Sequence, residues 1–243
     1  MVQRAANSIP AITTDQMRRV DQLMVEAYGI SLLQMMENAG HHLAGLARRL
    51  LGGNVTDRRI AILCGAGNNG GGGMVAARHL HNWGALVQVQ LAAEATRLKD
   101  VPAHQWRTVR VLGLDTRVTP DLGQVDLVID ALIGYGLTGD PRPDVAAWIE
   151  RGNAAGHPVL ALDTPSGLDV TTGVPARPCM RATATLTLAL PKIGLLAETA
   201  RPFVGHLYLA DIGVPPELYQ QMGLSVPPVF AAEEIVALPV GSA

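Results

Sequence analysis

Short, mostly apolar runs that end at a glycine or an aspartate constrain this chain more than any other feature. Residues 60–64 are apolar throughout and lead into a glycine-rich loop, whereas residues 125–129 and 158–162 end at Asp130 and Asp163. A strand that is apolar along its whole length is buried on both faces, so helices must cover both sides of its sheet. Strand-length runs also alternate with helix-length segments, which is typical of a mostly parallel, doubly wound α/β sheet.

Local signals define most elements of this expected fold. Two helices open the chain, because Thr13 with Gln16 and Ser31 with Gln34 have the spacing of capping boxes. The segment after Pro215 is rich in proline and matches no element. The remaining predictions are a helix at residues 74–83 and strands at residues 60–64, 85–92, 125–129, 158–162, 183–190 and 206–210.

Composition excludes several classes of function. The 19 basic and 21 acidic residues give a formal charge of −2, and no basic block appears that would suit nucleic acid or a membrane surface. No linker or repeat divides the chain, so we expect residues 1–243 to form one domain. Cys64 and Cys179 lack the spacing of a zinc site and are expected to be buried thiols. We find no secretory signal and no apolar run of about 20 residues, which favours a cytoplasmic protein.

The first segment that could carry chemistry is the glycine-rich loop at residues 65–73. Gly65, Gly67 and Gly70 match G-x-G-x-x-G between a strand and a helix, a pattern whose backbone N–H groups can hold a phosphate. The glycines at 70–73 move the expected helix start away from the strand, so a plain strand-to-helix turn is the alternative. The amides of Asn68 and Asn69 could ligate a cation through oxygen or simply stabilise a turn.

Two further strands end in segments with polar side chains. Asp130 is followed by a loop with several glycines, and Asp163 is followed by a tight turn that positions Ser166. Either aspartate could be a turn cap, but a carboxylate shielded from water at a strand end could also exchange protons with a ligand. A serine hydrolase is disfavoured, because the G-x-S-x-G elbow is missing. Lys192 is expected to be a surface lysine, with a phosphate contact as the alternative.

The carboxyl ends of parallel strands meet at one edge of the sheet, and ligands bind there near a change in strand order. These segments should therefore form one pocket. The motifs in question are residues 36–40, 67–73 with 77–80, 130–137, 163–169 and 191–192.

In this order, these motifs resemble those of the NAD(P)H-hydrate epimerase family, the YjeF N-terminal domain. The resemblance covers residues 12–215 and implies a Rossmann-like three-layer αβα fold. It also implies an isomerase that interconverts the R and S forms of hydrated NAD(P)H, called NADHX and NADPHX, at C6 of the nicotinamide ring. A separate dehydratase would then restore NAD(P)H from the S form. The sequence leaves the oligomeric state open, with a homodimer as one option.

The resemblance also implies roles for individual residues. Asp163 is the expected catalytic residue and a substrate contact. Potassium is the expected cofactor, held at Asn69, Asp130 and Ser166, whose oxygens suit a hard monovalent cation. The other substrate contacts implied are Asn68, Asn69, Gly70, Gly71, Gly72, Gly134, Tyr135, Gly136, Leu137, Thr138, Gly139 and Asp140.

One position departs from the family pattern. The family usually reads N-N-G-G-D-G, whereas this chain has Gly72 in place of the aspartate. Two alternatives to an active epimerase therefore stay open. One is a non-catalytic module that binds a nucleotide or a protein, and the other is an NAD(P)-dependent dehydrogenase, which the G-x-G-x-x-G match would favour.

Overall fold

A single seven-stranded sheet forms the centre of the computed structural model, which describes residues 9–98, 100–115 and 119–239. The strands are β1 (Arg59–Cys64), β2 (Leu86–Leu91), β3 (Leu127–Ala131), β4 (Val159–Leu162), β5 (Ala184–Leu188), β6 (His206–Ala210) and β7 (Ile235–Ala237). Their order is β2-β1-β3-β4-β5-β6-β7. Every neighbouring pair is parallel except β6 and β7, so the predicted parallel sheet is confirmed, with one antiparallel edge strand added.

Helices cover both faces of the sheet, as the apolar strands require. They are α1 (Thr14–Glu26), α2 (Leu32–Leu50), α3 (Asn68–Asn82), α4 (Asp100–Val111), α5 (Pro143–Ala154), α6 (Arg201–Val204) and α7 (Pro216–Gln221). Both predicted capping boxes are present: Thr13 caps α1 with Gln16, and Ser31 caps α2 with Gln34. Each box satisfies backbone N–H groups that the first turn of a helix leaves unpaired.

Two parts of the core lie on opposite sides of the sheet. On one side, Leu43 of α2 and Met74 of α3 pack with Ile62 of β1, and the α4 residue Val109 belongs to the same cluster. On the other side, Ile149 of α5 packs with the strand residues that point the opposite way, including Leu63 and Val128. Side chains of one strand alternate between the two parts, which gives the three-layer αβα arrangement.

The glycines of the first loop belong to a helix rather than to the loop. We predicted a helix start at residue 74, but α3 begins at Asn68, so residues 70–73 form its first turns. The helix lies so close to the sheet that larger side chains do not fit. A Cβ added to Gly73 would lie 2.6 Å from the Cβ of Ala131. Helix propensity therefore yields to packing at these positions.

The strand order sets the position of the functional site. β2 lies on one side of β1, whereas β3 and the later strands lie on the other, so the segments that follow β1 and β3 diverge. A crevice opens at such a switch point, at the carboxyl ends of the strands. Within the described ranges, no helix combines the length and the apolar character needed to cross a membrane.

Candidate active site

A cavity of about 530 Å³ lies at this switch point. Its volume is within the range of small-molecule sites, and most of its wall is apolar. The wall combines residues of α1 and α2, the start of α3, and the segments after β3 and β4. The lining residues are Met17, Arg18, Asp21, Leu32, Met35, Met36, Ala39, Gly67, Asn68, Asn69, Gly72, Leu132, Ile133, Gly134, Tyr135, Gly136, Leu162, Asp163, Leu188 and Ile212.

Asp163 lies in the cavity wall with a carboxylate that is held from two directions. Its Oδ1 accepts a hydrogen bond from Lys192 Nζ at 2.5 Å, and its Oδ2 accepts one from the backbone N–H of Tyr135 at 3.2 Å. The backbone of Asp163 has φ 66°, a left-handed conformation that non-glycine residues rarely adopt. Such a conformation costs of order 1 kcal/mol or more and persists where the surroundings impose it, often at a functional site.

Lys192 is buried, so its expected surface position is wrong. Its side chain is 0% exposed, and Nζ also donates to Thr187 Oγ1 at 3.2 Å and to the Leu188 carbonyl at 2.9 Å. A buried ammonium is stable only when it is paired and hydrogen-bonded, and Asp163 supplies the opposite charge. Lys192 is therefore held by the Asp163 carboxylate and by Thr187 and Leu188 at the end of β5.

Asp130 and Ser166 form a fully buried pair behind the wall. The sequence pattern predicted that Asp130 follows the strand, but the residue lies inside β3. Oδ1 of Asp130 accepts from Ser166 Oγ at 2.6 Å, and Oδ2 accepts from the Ser166 backbone N–H at 2.8 Å. Burial raises the pKa of Asp130 to about 6, although the hydrogen bonds from Ser166 and Leu132 oppose this shift. Ser166 Oγ in turn accepts from the backbone N–H of Ile133 at 2.8 Å, which connects the pair to the cavity wall.

Asn69 lines the same cavity and carries a polar group without a hydrogen-bond partner among the described residues. Its Nδ2 is buried and has no hydrogen-bond partner among the described residues. A Cβ on Gly134 would lie 3.2 Å from Asn69 Oδ1, so the glycine leaves room for this amide. The oxygen and the nitrogen of an amide have nearly the same shape, and a half-turn of the group would present an unpaired oxygen instead. Ser166, the partner of Asp130, is hydrogen-bonded to Ile133, which precedes Gly134, so Asn69 and the buried pair contact the same segment. Amide, carboxylate and hydroxyl oxygens are donor types that suit a hard monovalent cation.

The glycines of the first motif differ in what they do. A Cβ on Gly70 would lie 1.9 Å from the Gly65 carbonyl oxygen, and one on Gly71 would lie 2.7 Å from Met36 Sδ. These two glycines allow close packing and do not line the cavity. Gly72 does line it, and a Cβ there would lie 2.8 Å from Leu162 Cδ2. Leu162 therefore occupies part of the space that an aspartate at this position would need.

The predicted loop after β3 is divided between the cavity and the surface. Gly134, Tyr135 and Gly136 line the cavity. Residues 137–140 are not part of its lining, and Asp140 Oδ1 instead accepts a hydrogen bond from the Arg177 backbone N–H at 2.9 Å.

Asp21 is a lining residue that the sequence analysis missed. Tyr135 donates a short hydrogen bond from its hydroxyl to Asp21 Oδ2. Burial raises the pKa of Asp21, and the negative charge of Asp163 adds to that effect, whereas Tyr135 and Lys192 lower it. A signal was present, because Asp21 lies four residues after Met17 and three before Met24, and both methionines are buried. A carboxylate on the apolar stripe of a helix is unusual.

Comparison with known proteins places this chain in a family. A family model described as YjeF-related protein N-terminus matches residues 32–194, more than half of the chain. The chain belongs to the YjeF N-terminal family. This membership agrees with the resemblance drawn from the motifs.

Several known proteins are similar to this chain along most of its length. It is 41% identical over 220 residues to the NAD(P)H-hydrate epimerase of Dehalogenimonas lykanthroporepellens, covering 89% of this chain and 87% of the relative. It is 39% identical over 217 residues to the bifunctional NAD(P)H-hydrate repair enzyme Nnr of Moorella thermoacetica, covering 85% of this chain but 41% of that protein. The crystal structure of yeast YNL200c matches with a TM-score of 0.79 at 20% identity, covering 95% of this chain and 100% of the yeast chain. At that identity the yeast structure supports the fold alone.

Proposed function

We propose that this protein is an NAD(P)H-hydrate epimerase, an isomerase that interconverts the R and S forms of NADHX and NADPHX at C6. The observation that carries the proposal is the 41% identity to an epimerase over 87% of the relative's length. The cavity supports it, because it lies at the sheet position where nucleotide ligands bind and contains a carboxylate held by buried partners.

The chemistry needs proton transfer and no change of oxidation state. The C6 hydroxyl leaves as water once it is protonated, because the lone pair of the adjacent ring nitrogen forms a C=N bond. Water can then add to either face of the planar iminium, which inverts the centre when it adds to the opposite face. We assign Asp163 to proton transfer in these reaction steps, since it is the lining carboxylate that the backbone and Lys192 orient most firmly.

The rest of the substrate needs to be held still while C6 reacts. We assign this task to the start of α3, where Asn68, Asn69 and Gly72 line the cavity, and to residues 134–136. The N-terminus of a helix favours an anionic group such as the pyrophosphate. Gly70 and Gly71 would act indirectly, by letting α3 lie close to its neighbours. Residues 137–140 continue from the cavity wall, and we assign them to the part of the dinucleotide that lies outside it.

Potassium is part of the proposal, with Asn69, Asp130 and Ser166 as the residues that would hold it. Its charge would stabilise the Asp130 carboxylate and fix the segment after β3, to which Ser166 is hydrogen-bonded. The chain would work with a dehydratase that consumes the S form, a pairing that the bifunctional name of the Moorella relative supports. A cytoplasmic location remains a prediction of the sequence, and a homodimer remains one option for the assembly.

A coupled assay tests the proposed function. Freshly separated R hydrate is incubated with an S-specific dehydratase, with and without this protein, and NAD(P)H is followed by its absorbance. We expect recovery of NAD(P)H to accelerate in proportion to the amount of this protein. Binding of the hydrate without any acceleration would favour the non-catalytic module. A net loss of NAD(P)H with an added substrate would favour a dehydrogenase.

A further inference from the structure

Asp21 and Asp163 are the only carboxylates that line the cavity among the residues the structure describes. They come from different elements, since Asp21 belongs to α1 and Asp163 follows β4. Gly72 adds no side chain to the wall, so these two groups are the carboxylates available there for proton transfer. The other ionisable lining groups are Arg18 and Tyr135.

Tyr135 connects the two carboxylates. Its hydroxyl donates to Asp21 Oδ2, and its backbone N–H donates to Asp163 Oδ2 at 3.2 Å. One residue therefore sets the position of both acids relative to the same cavity.

The two carboxylates have different hydrogen-bond partners. Asp163 is hydrogen-bonded to the buried Lys192 side chain and to the backbone N–H of Tyr135. Asp21 is half-buried, and its direct hydrogen-bond partner is a neutral phenol. Burial raises the pKa of Asp21, which suits a group that donates a proton. Two carboxylates with such different environments are the usual arrangement for separate acid and base roles.

We propose that Asp21 is a second proton-transfer group of this cavity, which divides the two proton transfers of the epimerisation with Asp163. This inference rests on the proposed function. Asp21 in its acid form protonates the C6 hydroxyl, the C–O bond breaks, and the ring nitrogen lone pair forms the C=N bond as water leaves. A water molecule then adds to C6 from the other face, the C=N electrons return to nitrogen, and the proton of that water passes to Asp163. Exchange with solvent restores both groups, so each turnover releases and consumes one water and needs no oxidant or reductant.

Inversion explains why two groups are needed. A single carboxylate can assist departure and addition of water on its own side of the ring, which returns the original epimer. Addition to the opposite face needs a proton acceptor on that side. The cavity supplies two carboxylates from different elements, one from α1 and one from the end of β4, and we assign one to each face of the ring.

The test compares Asp21→Asn and Tyr135→Phe with Glu26→Gln as the matched control. Glu26 is an exposed residue near the end of α1, with its carboxylate bonded to Gln22. For Asp21→Asn we expect kcat to fall about 100-fold or more, the usual scale of a lost general acid, with little change in KM. The control should keep the wild-type kcat and melting temperature.

The pH profile of Tyr135→Phe separates proton transfer from a purely structural role. The groups that act on Asp21 are Tyr135, Lys192 and Asp163, and the Tyr135 hydrogen bond lowers the pKa of Asp21. Without this bond the pKa of Asp21 rises further, so Asp21 stays protonated to higher pH. We expect the alkaline limb of the kcat profile to move to higher pH in Tyr135→Phe and to disappear in Asp21→Asn.

The outcomes distinguish the two proposals. Wild-type kcat in a folded Asp21→Asn protein, with an active wild-type enzyme, overturns the role of Asp21 alone. An inactive wild type overturns the proposed function, and the role of Asp21 with it. If Asp21→Asn fails to fold, an alkaline limb in Tyr135→Phe that does not move overturns the inference.

Discussion

At the scale of single residues, the main feature of the site is a buried pair of opposite charges. The ion pair of Asp163 and Lys192 is almost completely buried, with side chains 5% and 0% exposed. Removing one member of such a pair typically costs about 3–5 kcal/mol, because the other charge stays buried without compensation. A variant of Asp163 therefore has two effects, one on chemistry and one on stability, which must be separated.

We expect Asp163→Asn to lower the epimerisation rate about 100-fold or more. Asparagine accepts the left-handed backbone at this position, so the local turn should persist. The single variant should also unfold at lower temperature, because Lys192 loses its charge partner. The double variant Asp163→Asn with Lys192→Met should regain most of the melting temperature but not the activity. Recovery of activity in the double variant would contradict a role for Asp163 in proton transfer.

The second residue-scale prediction concerns potassium. A cation that binds only the folded protein raises its melting temperature as its concentration increases. We expect such an increase with KCl for the wild type and a much weaker one for Asp130→Asn, which lacks the only charged ligand. Choline chloride at equal ionic strength is the control for salt effects. Equal responses of both proteins to KCl would argue against the assigned cation site.

Close approach of α3 to its neighbours is the main feature at the scale of elements. Its glycine turns lie against β1, α2 and the segment after β1, so α3 can begin directly after Gly67 at the mouth of the cavity. This places Asn68, Asn69 and Gly72 in the cavity wall. The glycines thus affect the site through the path of the backbone.

We expect Gly70→Ala to destabilise the protein far more than Gly67→Ala. A Cβ at Gly70 would lie 1.9 Å from the Gly65 carbonyl oxygen, whereas one at Gly67 meets nothing within 4 Å. A backbone carbonyl cannot move aside as a side chain can, so the cost should exceed the about 1–3 kcal/mol typical of overpacking. Denaturant unfolding of both variants measures the difference. Equal denaturant midpoints for the two variants would show that the backbone shifts to accept the added Cβ at position 70.

At the scale of the whole molecule, both cysteine thiols are buried, as are Asp163 and Lys192. Cys64 lies in β1 and Cys179 lies beside the α5 side of the sheet, and both are buried free thiols. Burial raises the pKa of Cys179 to about 12 and that of Cys64 further, and the negative charge of Asp130 adds to both shifts. The thiolate is the reactive form, so both groups should be inert near neutral pH.

We expect neither thiol to react with a disulfide reagent at pH 8 while the protein is folded. Both should react once denaturant unfolds the chain, because an exposed cysteine has a pKa of about 8.5. The count of labelled thiols by mass spectrometry measures this. Rapid labelling of the native protein at either cysteine would contradict the buried, closed packing of the sheet.

Local sequence patterns determined many elements of this protein, but α4, α5, α7 and β7 lie in segments where no element was predicted. The strand predicted at 206–210 matches β6, and both capping boxes begin the helices that they predicted. These signals are short-range, since apolar runs and caps act within a few residues. The motifs likewise led to Asp163 and to the loops of the cavity wall.

Long-range packing decided the rest. Lys192 is buried because Asp163, 29 residues earlier, supplies its counter-charge, and no local pattern reports such a partner. Asp21 lines the cavity because Tyr135, 114 residues later, meets it across the strand ends. The glycines became helical because α3 packs against the sheet, which outweighs their weak helix propensity. The sequence alone determined which segments meet at the sheet edge, whereas the tertiary structure decided which charges face one another there, since the energy of a buried charge depends on partners distant in the chain.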